Sequence, residues 1–257
     1  MTGSRTFLAS LMASMAGLYA AQAANKPGES SIVEGQALAA ELRSEKPTEN
    51  LEIKGVLKIR NANGKRVQVP FRYRIVVGET SWQGIYETQG GAGLSGEKLV
   101  VVHTDDKFNR YLVSKALDND SAGPVSLSGD KAMASFANSD FWLADLGLEF
   151  LHWPQQRIVE EAKIKMRKGR PCKVLESINP HQDAAGYTRV RSWIDTKTGK
   201  PILAEAYGPN NKLLKEFEVG NVTKVNGQWE LKNMEMRNAQ TDSQTVLEFK
   251  YEQKAGE

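Results

Sequence analysis

The chain has 257 residues, of which 40% are hydrophobic and 25% charged, with a formal net charge of +3. Lysines and arginines are interspersed with acidic residues throughout, which excludes the basic stripe of a nucleic-acid-binding surface. A single cysteine, Cys172, excludes an intrachain disulfide and reads as a small buried hydrophobe.

The first 23 residues read as an export signal, not as fold. Arg5 supplies a positive start, Phe7 to Ala21 is apolar and uncharged, and Ala21-Gln22-Ala23 has the small-x-small form of a cleavage site. The apolar stretch is shorter than the roughly 20 residues a membrane span needs. Cleavage after Ala23 or Ala24 removes Arg5, which lowers the formal charge from +3 to +2. No cysteine follows the cleavage site to carry a lipid anchor, so the expectation is a soluble exported protein with one domain over 24–257.

Residues 24–31 read as a flexible start, and Ser30 or Ser31 is placed to cap a helix over 32–45. Its apolar members are Ile32, Leu38 and Leu42, and Pro47 follows its end. The period then drops to two. Leu51, Ile53, Leu57 and Ile59 alternate with Glu52, Lys54 and Lys58. After the tight-turn pair Asn63-Gly64, the residues Val67, Val69, Phe71, Tyr73, Ile75 and Val77 hold every second position. This is a long hairpin with one oily and one wet face. Pro70 removes a ladder donor, which predicts an edge or a bulge at that point.

Strands are predicted at 80–88, 98–104 and 110–116, with irregular chain over 118–138. Ser139 or Asp140 is placed to cap a short helix over 141–151, and Pro154 stops it. A meander follows, with strands at 158–167, 171–178, 187–195, 201–207, 213–222, 228–237 and 244–252. Turn signals fill the gaps, among them Gly208-Pro209-Asn210-Asn211 and Asn226-Gly227. About eleven strands and two helices make one large antiparallel sheet, mainly β, whose apolar face must be covered. Two short helices cover less of it than a second sheet would. The options are a closed barrel or a curled half-barrel with short helices capping its concave face, and either can enclose a cavity. Strands of eight to ten residues span about 27–34 Å, long enough for an acyl chain.

Sequence motifs for chemistry are weak. Gly91 to Gly96 spells G-x-G-x-x-G, but a strand follows it where a dinucleotide site needs a helix, so the run reads as an inter-strand loop. His103, His152 and His181 have no partners at metal-ligand spacing, and His103 reads as a surface turn. Ser95 lacks the strand-to-helix elbow of a hydrolase nucleophile. These observations predict no enzyme, no metal and no cofactor. Trp82, Tyr86, Trp142, Trp153, Trp193 and Trp229 read as core, with a cavity mouth as the alternative for Trp142 and Trp153.

From Ser139 onward the sequence resembles the LolA-like group of outer-membrane lipoprotein-sorting proteins, in its branch of unassigned activity. The resemblance is carried by Ser139-Asp140-Phe141, Asp145-Leu146, Gly169 to Leu175, Tyr187 to Val190, Trp193 to Pro201, Tyr207 to Lys215, Gly227-Gln228-Trp229 and Met234 to Asn238. It implies an unclosed β-barrel with a helical lid, located in the periplasm, that carries the acyl chains of lipoproteins or lipids. It implies a lid-latching arginine, which no motif around Arg43, Arg60 or Arg72 places. The alternative is a sensor or scaffold of the same fold that binds a protein partner. Expected partners are lipidated protein or lipid acyl chains and an outer- or inner-membrane protein. Contact with the membrane is expected to be peripheral only, and no nucleic acid is expected. The predicted cavity set is Leu57, Ile59, Val69, Phe71, Tyr73 and Ile75, with Phe141 and Trp142 from the lid.

Overall fold

The computed structural model describes residues 28–90, 95–104, 107–115, 123–159, 164–182, 186–225 and 228–251. The expected signal segment 1–23, Gly91 to Leu94 of the glycine run, and the Asn226-Gly227 turn lie outside the described residues.

The N-terminal half forms helix α1 (Glu29–Ser44) and strands β1 (Leu51–Arg60), β2 (Arg66–Val77), β3 (Ser81–Thr88), β4 (Glu97–Thr104), β5 (Arg110–Lys115) and β6 (Val125–Leu127). Helix α2 (Leu143–Leu146) and a 3-10 turn (Glu149–His152) follow. The remaining strands are β7 (Gln155–Ile158), β8 (Lys165–Arg167), β9 (Arg170–Ile178), β10 (Arg189–Asp195), β11 (Pro201–Tyr207), β12 (Leu213–Val219), β13 (Val222–Val225), β14 (Gln228–Leu231), β15 (Asn233–Asn238) and β16 (Gln244–Lys250).

Fourteen strands make one sheet, ordered β6-β5-β4-β3-β2-β1-β16-β15-β12-β11-β10-β9-β7, with β8 beside β7 on the same edge of β9. Every pairing is antiparallel, and β1 pairs with the last strand (Leu57 opposite Leu247). The two ends of the order do not pair with each other. The sheet is therefore a curled, unclosed half-barrel, which is the one of the two options that the family resemblance implies. Strands β13 and β14 form a separate two-stranded hairpin.

Six sequence expectations are corrected here. The predicted strand 213–222 is interrupted because the Asn233 side chain wedges into it. Asn233 Oδ1 accepts the Asn221 amide at 2.6 Å, and a Cβ on Gly220 would collide with that same side chain. This also divides 228–237 and turns β13–β14 out of the main sheet. Helix 141–151 breaks because Leu148 adopts a left-handed conformation (φ 51°). Long-range bonds from the start of β5 and the residue before it hold the chain there: Asn109 Nδ2 donates to the Gly147 carbonyl at 2.6 Å, and Tyr111 donates to Glu149 at 2.8 Å. Pro70 lies on an interior strand without a register shift. Its carbonyl accepts Gln89, just past the end of β3, so its missing N–H faces a ladder that has already stopped. The span 118–138 contains an edge strand, β6. Neither Ser30 nor Ser31 caps α1; the N-cap is Gly28, and Ser31 donates back to the Gly28 carbonyl.

Helix α1 docks by a face of small residues, with the predicted Leu38 and Leu42 half-buried against core side chains beside it. Ser31, Gly35 and Ala39, four apart and thus on one face, are buried, while Ile32 is 38% exposed. A Cβ at Gly35 would lie within 2.6 Å of the Arg157 backbone. Helix propensity alone favours alanine over glycine by about 1 kcal/mol. Gly35→Ala is nevertheless expected to destabilise, by about 1–3 kcal/mol of overpacking, in urea unfolding followed by circular dichroism. A gain in stability would show that α1 is not seated closely on β7.

The core divides into two clusters. One packs Leu57, Val69, Phe71, Leu99, Tyr111 and Leu247 under Phe136, Phe141 and Leu143; the other packs Leu151, Trp153, Leu175, Tyr187 and Val190 with Ala39 of α1. Cys172 is fully buried.

Candidate functional site

Between the clusters the concave face is not filled. A cavity of about 600 Å³ runs under the lid segment that contains α2. Alternation supplies its wall: Ile202, Ala204 and Ala206 of β11 and Phe217 and Val219 of β12 face it. Met234 and Met236 of β15 and Phe249 of β16 complete that side. Phe141, Leu146, Leu148 and Phe150 close it from the lid, and Val222, Trp229 and Leu231 of the hairpin stand at its rim. Alanine at 204 and 206 is the local reason for the space, because a strand carrying two methyl groups there leaves room that larger neighbours would occupy. Trp229 is 71% exposed.

Polar groups stand among these side chains, Lys215 and Asp145 the central pair. Lys215 on β12 is buried, donates to the Asp140 carbonyl at 2.6 Å and lies 3.6 Å from Asp145 Oδ2. Its ammonium also sits 3.6 Å above the Trp142 ring. Asp145 in turn accepts the Trp142 amide at 2.7 Å and the Tyr187 hydroxyl at 3.2 Å. Asp140 is held to β16 by Ser243 (2.5 Å) and Thr245 (2.8 Å). Burial pushes the Lys215 amine down to about 8, against the attraction of Asp145 and Asp140, and burial pushes the Asp145 carboxyl up. The lysine therefore ties the lid segment to the sheet. Arg43 ties α1 to the turn after α2 by donating to the Leu151 carbonyl at 2.5 Å.

A second space of about 600 Å³ adjoins the first, and Tyr73, Tyr86, Leu146 and Leu148 line both. Its own walls mix polar and apolar groups and include Arg43, Glu45, Trp82, His103, Thr104, Asn109 and His152. His103, expected in a surface turn, instead lies near the end of β4, stacked on Trp82 with ring centroids 3.8 Å apart.

Of the predicted cavity set, Tyr73 and Phe141 line the apolar space. Leu57, Ile59, Val69 and Phe71 are 0–8% exposed in the packed cluster beneath the lid, and Ile75 is half-buried on β2. Trp142 stacks on Tyr187 with centroids 4.5 Å apart, beside the cavity. Trp153 is core and Trp193 lies under Arg167, whereas Trp229, read as core, is the aromatic at the rim. Among the described residues no group of histidine, cysteine and acidic side chains could hold a metal, and no helix is long and apolar enough to cross a membrane.

A family model described as an uncharacterized protein matches residues 96–254. No curated protein matches the chain. Several solved structures are similar to it in fold. A putative outer membrane lipoprotein-sorting protein domain from Vibrio parahaemolyticus has 19% identity and a TM-score of 0.69, covering 88% of this chain and 94% of that one. A DUF1329 family protein from Desulfovibrio piger has 18% identity and a TM-score of 0.68, covering 88% and 95%. A LolA superfamily protein from Nitrosomonas europaea has 14% identity and a TM-score of 0.58, covering 86% and 92%. The expected LolA-like unclosed barrel is the observed fold.

Proposed function

We propose, from the premise that the chain belongs to the family whose model spans residues 96–254 and has the LolA-like fold, that it is a non-enzymatic carrier of acyl chains. The observation that carries this reading is the apolar cavity between β10–β12, β15–β16 and the lid. Its volume of about 600 Å³ falls within the roughly 300–1,000 Å³ of small-molecule sites, and its wall is hydrophobic apart from a few placed polar groups. The mechanism is passive. Each methylene desolvated there contributes about 0.8 kcal/mol, and release requires the lid to lift off the sheet. The cargo is the acyl chain of a lipid or lipidated protein, and the place of action is the periplasm, after removal of the signal at about Ala23. Outer-membrane lipoprotein sorting is the process this fits.

A second reading, a sensor or scaffold that binds a protein partner, is favoured by one observation: Trp229 and Val222 project from the β13–β14 hairpin, 71% and 49% exposed, at the cavity rim. Native mass spectrometry of the exported protein separates the two. The carrier reading expects adducts with the masses of acyl lipids and saturable uptake of a fluorescent fatty acid after delipidation. Absence of both, together with a stoichiometric protein partner, would favour the scaffold.

A further inference from the structure

We propose that the polar space beside the apolar cavity holds the uncharged, hydroxyl-bearing head of the same amphiphile whose tail fills that cavity; this rests on the carrier reading above. The two spaces share Tyr73, Tyr86, Leu146 and Leu148, so a molecule that spans both passes between these four side chains. They differ in chemistry. The first is lined mostly by aliphatic and aromatic carbon, whereas the second presents an amide, two imidazoles and a threonine hydroxyl, with Lys46 also in its wall and with Arg43 and Glu45 there engaged by the Leu151 carbonyl and by Lys200.

Asn109 supplies the sign of the ligand. It is 1% exposed, and its Nδ2 donates to the Gly147 carbonyl, but its Oδ1 has no hydrogen-bond partner. An acceptor left bare in a buried position is costly, so a ligand that brings a donor gains there. His103 stands beside it, its ring fixed flat on Trp82. Burial, and the nearby His152, hold the His103 imidazole down at about 4, and burial and the Arg43 charge hold His152 at about 4 as well. At neutral pH both rings are therefore uncharged, each with one donor and one acceptor. Such a set matches hydroxyls, which give and take hydrogen bonds. It matches a carboxylate less well, because a carboxylate offers Asn109 no donor.

The test compares one acyl chain under three heads: monopalmitoylglycerol, methyl palmitate and palmitate. Each competes with a bound fluorescent fatty acid on the delipidated protein, below the concentration at which micelles form. The glycerol ester is expected to bind about tenfold more tightly than the methyl ester, the size of one or two well-made hydrogen bonds. In His103→Phe, which keeps a ring on Trp82, the ratio is expected to fall to about threefold, the Asn109 acceptor remaining. In Ala204→Phe all three ligands are expected to weaken together, since the tail site is shared. Equal binding of the two esters by the unaltered protein, a preference for palmitate, or a ratio that survives His103→Phe undiminished would overturn the head site while leaving the carrier reading intact. If none of the three binds, the carrier reading falls, and the head site with it.

Discussion

An Ala204→Phe variant is expected to fold with unchanged cooperativity and to bind acyl ligands at least tenfold more weakly. Ala204 faces the cavity from β11, opposite Phe217 on the next strand, so the added ring has empty space to enter. A ring there displaces about two methylenes of a bound chain. At about 0.8 kcal/mol each this exceeds the 1.4 kcal/mol that makes a factor of ten. Stability gives the independent half of the result. In a filled core the same substitution costs about 1–3 kcal/mol of overpacking, whereas in an open cavity the urea midpoint stays within about 1 kcal/mol of the parent. Loss of stability without loss of binding would mean that the ring does not point where the ligand lies.

Asp145→Asn is expected to lower stability at pH 7 by about 1–2 kcal/mol and to loosen the lid. The substitution leaves Lys215 buried without its carboxylate partner, 3.6 Å away in the parent. The cost is bounded, because the amine is already down at about 8 and can shed its proton instead of remaining charged. The sign with pH follows from proton counts. Between about 8 and the ordinary lysine value of 10.5 the unfolded chain binds the proton and the folded one does not. The contribution of Lys215 to stability is therefore full above 10.5 and is lost as pH falls through 8. In Asp145→Asn the lower edge of that window moves below 8. Urea midpoints taken from pH 6 to pH 10, with Lys215→Met as the reference lacking the amine, isolate this group from the tyrosines that titrate nearby. The double variant Lys215→Met/Asp145→Asn is expected to recover the lost stability, as replaced buried ion pairs commonly do. An unchanged midpoint and pH profile in Asp145→Asn would show that the pair does not hold the lid.

The sheet was legible because alternation is a local property. Leu51 to Ile59 and Val67 to Val77 state their two faces residue by residue, and the turn pairs fix where each strand ends. The breaks were not legible, because long-range contacts impose them. Asn233 splits β12 from β13 from twelve residues away, and Asn109 just before β5 and Tyr111 on it unwind the helix after Leu146. Of the predicted cavity residues Tyr73 and Phe141 line the apolar space and the others do not, for a related reason. The strongest alternation, in β1 and β2, marks the face that Phe136, Phe141 and Leu143 fill, whereas the open part lies where alternation is weakened by alanine. Ala204 and Ala206 between bulkier neighbours, and a lysine at 215 in phase with Phe217, were the available signals. A greasy pattern reports burial; small side chains within it report room. The docking of α1 followed the same logic, since Ser31, Gly35 and Ala39 made the close face and the larger Ile32 did not.

The most direct measurement is a crystal structure of the delipidated protein grown with a terminally brominated dodecanoyl chain, located by the anomalous scattering of bromine. The account predicts one bromine peak among Ala204, Met236 and Phe249, with the chain lying under Phe141 and Leu146. Bromine on the outer face of the sheet, or a concave face closed by the protein's own side chains with no chain inside, would contradict it.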